Sequence, residues 1–403
     1  MELWSLSADP GRRSPVGPAS ARAGEATPSL VNSAYHPAGT GAGRVVRGAD
    51  ARRSNLALVL QCLYDQPDLS RAELARRTGL TRAGISDLVA ELVADGLVAE
   101  TGRLGAQVGK PGTMLAIRDA RDIIALDLSA ADTLNGGVYS LRGQRRCTRT
   151  VPLAGATGDA AVDLVYRLVD DLLAAAQHPV LGIGVGSPGT IDARGMVLTS
   201  RSFGWHVLPL QDLVAAHSGL PVAVINDANA AAVAEQAFAG GPADLLRVQI
   251  ALGVGAGLLL GGQVVVGLSA AAGEIGHLVV DYQGQKCLCG KRGCLETWAS
   301  VPALARRVAA DPAHRDTILA EGGRRLGMAL VPALAALDID DVVLGGPSHL
   351  INGAFARAAQ DLINERVRSE FRHEVRLHPS TLGDEATLLG AVALVLRTTL
   401  GVW

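Results

Sequence analysis

Aromatic residues make up only 3% of this chain, so its core must be built from Ala, Val and Leu. Net charge is almost lacking too. At −2 the molecule is no polycation, and any nucleic-acid surface must be local. Long apolar runs are missing. Ala256–Leu260 and Val264–Val266 are short and broken by glycine, which excludes a transmembrane helix. The opening thirty or so residues lack the apolar core of a signal peptide. Cysteine is scarce, with five residues, three of them clustered. That pattern excludes an extracellular disulfide framework and points to reduced thiols in the cytoplasm.

What is plentiful is hydrophobic residue, at 48%, and glycine, with 48 copies. A chain of 403 residues with that content is expected to fold as two or three domains. Residues 1–50 are rich in Gly, Pro, Ala, Ser and Arg and are expected to be a disordered tail. Arg12, Arg13, Arg22, Arg44 and Arg47 there either lie solvated or touch DNA phosphates.

From Asn55 the pattern changes. Leu56, Val59, Leu60 and Leu63 recur at helical spacing. Ser70 with Glu73 three residues on is a capping box, and Gly79 stops the helix it opens. Thr81 caps a second helix that runs to Gly96, which makes a helix-turn-helix. The stretch GRLGAQVGKPGTMLAI then reads as a two-stranded wing. Residues 51–117 are thus expected to be a winged helix-turn-helix of α+β type. Recognition helices present their first residues to base edges. Thr81, Arg82 and Ser86, with Arg103 and Lys110 on the wing, are therefore the expected DNA contacts. A packing hairpin would explain the helices but not the basic wing. Charge is a weaker signal, with ten Arg or Lys against eight Asp or Glu in residues 44–112. After Ile117 strands and helices alternate, the pattern of an α/β protein with mixed sheets.

Three motifs carry chemistry. His277, Cys287, Cys289 and Cys294 supply thiolates and an imidazole in one stretch, a closed set for one structural Zn²⁺ per chain. Gly290 and Gly293 allow the turns that bring the thiolates together, and Glu274 and Glu296 flank the cluster. Asn226-Asp227 follows the strand VAVI and opens a helix. A carboxylate at a strand's carboxyl end can act as general base, or cap the helix. Gly253, Gly255 and Gly257 lie between two strands, either as a turn or as a loop whose amides approach phosphate.

The segment GEIGH…CLCGKRGCLE resembles the signature of the ROK family of repressors, open reading frames and kinases. VGSPGTID, FGW with LPL, INDANAAAVAE, GVGAGLLLGG, VVLGG and GDEATLLGAVAL agree with it in order, from Ile123 to Leu394. An N-terminal winged helix-turn-helix marks the family's regulator branch. The resemblance implies an actin-like (ribonuclease H-like) two-lobed sugar-binding domain over 118–403, with the helix 384–399 returning to the first lobe. It also implies a structural zinc and control of carbohydrate-utilisation genes. The family's sugar contacts fall on Asn226, Asp227, Glu274, His277 and Glu296. His277 would ligate the metal through one nitrogen and face the sugar with the other.

The family's kinases carry D-x-G-G-T after the first strand. Here that place reads Asp127-Leu128-Ser129-Ala130-Ala131, without the glycines that let amides approach phosphate. Leu252 stands where the kinases usually have threonine, and Ser202 where the family often has asparagine. The expectation is a cytoplasmic DNA-binding repressor, homodimeric or tetrameric, that binds operator DNA and is released by a monosaccharide or sugar phosphate. ATP is expected to bind poorly or not at all. The rival is an ATP-dependent sugar kinase with Asp227 as general base.

Overall fold

The computed structural model describes residues 48–103, 113–371 and 374–403. The expected tail falls almost wholly outside them, as does Lys110. Helix α1 (Gly48–Asp65) begins inside the stretch assigned to that tail, so the folded region starts earlier than composition implied.

A short strand β1 (Leu69–Ser70) leads into α2 (Arg71–Thr78), then α3 (Arg82–Ala94), and β2 (Val98–Arg103) pairs with β3 (Thr113–Ile117). The start signals act as chemistry requires. Ser70 and Glu73 satisfy each other's backbone N–H groups, and Gly79 takes φ 72 to turn the chain out of α2. Three residues, Gly79 to Thr81, make the turn, one fewer than expected.

The first lobe is a five-stranded sheet. Its strands are β4 (Asp122–Asp127), β5 (Thr133–Ser140), β6 (Arg145–Pro152), β7 (Val180–Ser187) and, further on, Val222–Asn226. Helix α4 (Gly158–Ala175) covers β5 and β6, burying Val165, Leu168 and Leu172. A small antiparallel sheet comes after β7, made of β8 (Thr190–Ile191), β9 (Val197–Ser200) and β10 (Trp205–Leu208). Helix α5 (Leu210–Ser218) leads to β11 (Val222–Asn226) and α6 (Asp227–Ala239). The sheet order is β11-β7-β4-β5-β6, with β11, β7 and β4 parallel.

The second lobe repeats the plan with β12 (Leu245–Ile250), β13 (Val254–Leu260) and β14 (Gln263–Val264). After α7 (Glu296–Ala299), α8 (Val301–Ala310) and α9 (Arg315–Leu337) come β15 (Asp341–Gly345), α10 (Ser348–Ile351), α11 (Ala354–Val367) and β16 (Arg376–Pro379). Its sheet runs β14-β13-β12-β15-β16. Helix α12 (Ala386–Leu400) then packs on β4 and β7 of the first lobe.

Two features position the site. Helices α6 and α12 lie against each other so closely that a Cβ on Gly390 would fall 1.8 Å from the Ala230 carbonyl oxygen. Helix α6 is also tied to β12 by a buried ion pair, Arg247 Nε to Glu235 Oε1 at 3.1 Å. The winged helix shares a core with the first lobe, since Val59, Leu60 and Leu63 pack in one cluster with Ile123, Leu389 and Val392. No helix among the described residues is long and apolar enough to cross a membrane.

Candidate sugar cleft and metal centre

Parallel register brings the carboxyl ends of three strands together. Asn226 of β11 stands beside Ser187 of β7, and Asp127 of β4 beside Gly186. Asn226 is the cap of α6, accepting from Asn229 N at 3.0 Å. Its Nδ2 donates to Gly189 O at 3.0 Å and to Asp227 Oδ1 at 2.9 Å. Capping therefore belongs to Asn226, and Asp227 is left free of that duty as the first residue of the helix. Burial pushes the Asp227 carboxyl up to about 7, helped by the nearby Asp127 and Glu274.

Asp127 is spent locally. Its Oδ1 accepts from both the amide (2.9 Å) and the hydroxyl (2.6 Å) of Ser129. Its pKa is raised by burial, and Asp384 adds to the rise. Asp384 joins this group although its residue type alone did not mark it. Its signal lay in the GDEAT segment just before α12.

The facing wall comes from the second lobe. A single 3₁₀ turn, Ile275–His277, succeeds Glu274. His277 turns Nδ1 towards Cys287 Sγ, 3.7 Å away, while its Nε2 lies 4.0 Å from Glu274 Oε2. Cys289 Sγ and Cys294 Sγ are 3.6 Å apart, and the four ligand atoms lie within 4.8 Å of one another. A tetrahedral zinc with Zn–S near 2.3 Å and Zn–N near 2.0 Å has edges of roughly 3.3–3.8 Å; the His277–Cys287 and Cys289–Cys294 pairs match that length, and the widest pairs, within 4.8 Å, would draw in by about 1 Å at most around such an ion. Backbone bridges Val279–Cys294 and Lys286–Arg292 hold the knot. Glycine is required at 293, where a Cβ would fall 1.5 Å from the Asp281 carbonyl oxygen. Glu296 Oε1 lies 3.9 Å from Cys287 Sγ, beside the metal set.

One expectation needs correction. The glycine series is not a loop: Gly255 and Gly257 lie inside β13. Gly257 is needed for packing, because a Cβ there would fall 2.4 Å from the Ala228 carbonyl oxygen on α6. Gly253 alone sits in the turn, where a Cβ would meet Glu296 Oε2 at 2.7 Å.

Of the expected DNA contacts, Thr81, Arg82 and Ser86 are exposed at the start of α3. The Thr81 oxygen accepts from Gly84 N at 3.1 Å, and the Ser86 hydroxyl donates to Arg82 O at 2.9 Å. With its proton engaged, Ser86 can only accept, from a base donor and not from a phosphate, which leaves Arg82 the strongest donor. The backbone of Arg103 ends β2, and Lys110 lies outside the described residues.

A sequence model of the ROK family matches residues 124–398. The chain belongs to the ROK family. A MarR family model matches residues 57–103, over the helices and first wing strand. This ROK protein is 27% identical over 387 residues to the xylose repressor of Caldicellulosiruptor bescii, covering 87% of this chain and 97% of that one. Among solved structures it resembles a ROK family transcriptional regulator described as a homologue of the E. coli MLC protein, with TM-score 0.77 and 23% identity. That likeness covers 87% of this chain and 97% of the other. It also resembles a ROK family glucokinase from Streptomyces griseus in complex with glucose and AMPPNP, with TM-score 0.60 and 26% identity. There 68% of this chain and 98% of the glucokinase are covered, so the third of this chain without a counterpart is comparable in length to residues 1–117, the tail and the winged helix together.

Proposed function

We propose that this ROK protein is a DNA-binding transcriptional repressor released by a monosaccharide held between its lobes. One observation carries the reading. A winged helix-turn-helix shares a hydrophobic core with the lobe that also supplies Asn226 and Asp227. The full-length similarity to a xylose repressor supports it, because that match spans both parts. The winged helix occupies residues up to about 117, and the sugar domain the remainder. Arg82 is its main DNA contact, with Thr81, Ser86, Arg103 and Lys110 beside it.

Sugar hydroxyls are donors and acceptors in pairs, and carboxylates accept such pairs well. Asp227 and Asn226 come from the first lobe, Glu274, His277 and Glu296 from the second. A sugar touching both sets favours the closed cleft. An effector moves an equilibrium only by binding its two states differently. Closure would reorient two winged helices in a homodimer and spoil their half-site spacing. His277, Cys287, Cys289 and Cys294 would hold zinc, which supplies a rigid cross-link behind the Glu274 and Glu296 wall. A DNA-bound regulator works in the cytoplasm.

The test uses the full chain and a duplex selected by it from a random DNA pool. Gel-shift titration with D-xylose, D-glucose and other monosaccharides should weaken the complex for at least one of them. A DNA affinity that no sugar changes sinks the reading. A second reading, sugar kinase, is favoured by Asp227 alone, whose carboxyl at about 7 suits a general base. ATP-dependent phosphorylation of a monosaccharide, lost in Asp227→Asn, would establish it.

A further inference from the structure

In a chain with four Trp, five Tyr and four Phe, three of them meet at one place. The Trp403 ring lies 4.7 Å from that of Tyr64 on α1 and 5.3 Å from that of Phe238 on α6, tilted by 52° and 59°. Trp403 N donates to Gln61 Oε1, also on α1, at 2.8 Å. Its carbonyl accepts from Arg397 Nε on α12 at 2.9 Å. Trp403 takes φ 66, a left-handed conformation that a bulky residue adopts only where its surroundings hold it.

Each partner leads elsewhere. Helix α6 starts at Asp227 in the cleft and carries Phe238 near its other end. Arg397 also donates through Nη2 to Gly262 O at 2.7 Å, in the β13–β14 turn of the second lobe. Phe238 packs over Gly143, in the β5–β6 turn of the first lobe, where a Cβ would come within 2.6 Å of its ring. Tyr64 donates its hydroxyl to Leu141 O at 3.1 Å, beside that turn. Trp403 thus touches the first helix of the winged domain and the far end of the cleft helix through its indole, and through its backbone carbonyl an arginine bound to the second lobe.

We propose that Trp403 is the positioning residue through which the state of the cleft reaches the winged helix. This rests on the regulator reading above. Coupling needs elements that move as units and a contact that both sites bias. Helix α6 is one such element, about 20 Å long at 1.5 Å per residue. The Arg397–Gly262 bond senses the second lobe, and Tyr64 with Gln61 is the output. Coupling is reciprocal, so DNA changes sugar affinity by the same factor as sugar changes DNA affinity.

The test uses the full chain, the selected duplex, and the monosaccharide that most raises its melting temperature in a panel including D-xylose and D-glucose. In the wild type, saturating sugar should weaken DNA binding by roughly 5–150-fold, the usual span of such coupling. In Trp403→Ala that factor should fall below about threefold, while sugar affinity by calorimetry and sugar-free DNA affinity each stay within about threefold of wild type. Trp403→Phe, which keeps a ring, should keep most of the response. A Trp403→Ala protein that responds like wild type overturns the proposal. Should that variant fail to fold, Tyr64→Ala and Gln61→Ala decide, and an undiminished response in both overturns it equally. A wild-type chain that binds DNA but no sugar, or both without mutual effect, removes the regulator reading and the relay together. That outcome is distinct from a responsive variant.

Discussion

At the end of β11 the chain offers a carboxylate to the cleft, whereas at the end of β4 it folds one back on itself. Asn226 takes over the helix cap and donates its Nδ2 to Asp227 Oδ1, so Asp227 stands at the helix start without serving as its cap. Asp127 accepts the amide and hydroxyl of Ser129, so that backbone donor is already engaged. Both aspartates stand at carboxyl ends of neighbouring parallel strands. The difference arises in the segment after each strand: a helix with its own cap in one case, a loop without glycine in the other. Strand order places an active group, and the adjoining few residues decide whether it stays available.

The contrast is hit hardest at the wall facing Asp227. Cys289→Ser should remove zinc from the purified protein and lower its melting temperature by on the order of 10 °C, since structural zinc contributes directly to folding. Metal analysis and scanning calorimetry check this, and a wild type without zinc would refute it.

Asp227→Ala comes next. Losing hydrogen bonds to a charged acceptor costs about 1.5–3 kcal/mol, so sugar affinity should fall by about 10–100-fold with sugar-free DNA binding unchanged. Isothermal calorimetry reads both. The same residue sets a pH dependence. Its folded-state carboxyl is raised from 3.8 to about 7, so the folded chain keeps a proton that the unfolded chain has lost between those values. Its contribution to stability therefore declines as pH rises through that window. Sugar affinity should do the reverse, rising with pH until about 7 as the carboxylate forms. Asp227→Asn should flatten both profiles.

Arg82→Ala should weaken DNA binding by about 5–30-fold and reduce its salt slope by about one. The smallest effect is the sharpest test of the contrast. Ser129→Gly with Ala130→Gly frees the loop beside Asp127, and weak, millimolar ATP binding should become measurable by calorimetry, on the order of −4 kcal/mol. Nucleotide binding as tight in the wild type as in the variant would show that Ser129 does not close that side.

Much of this was legible in residues. The Ser70–Glu73 box, the Gly79 stop and the Thr81 cap are local chemistry, and they sit where that chemistry puts them. The His/Cys cluster was readable because four candidate ligands of two residue types crowd one short segment. The small sheet β8–β10 was not legible, because its short strands depend on pairings such as Trp205 with Ser200. Strand β6 was hidden by its arginines, which suit an exposed edge but look like a loop. Helix α11 was missed despite a plain signal, Phe355, Ala359, Ile363 and Val367 at fourfold spacing. Gly255 and Gly257 misled because a glycine required for close packing in a strand looks like one required for a turn. The meeting of Tyr64, Phe238 and Trp403 had no local sign, since it joins residues far apart in sequence.

The backbone contact between α6 and α12 bears on how the molecule moves. Packed helices are held in register by side chains that interlock like gear teeth. Here Gly390 rests directly on the Ala230 carbonyl, and α6 buries Ala228, Ala230, Ala231, Ala232 and Ala234. Such a surface resembles a bearing more than a gear, since a turn of one helix on the other would have few rotamers to reset. The shortage of aromatic residues is then part of the machinery. A side chain large enough to anchor this joint would also jam it.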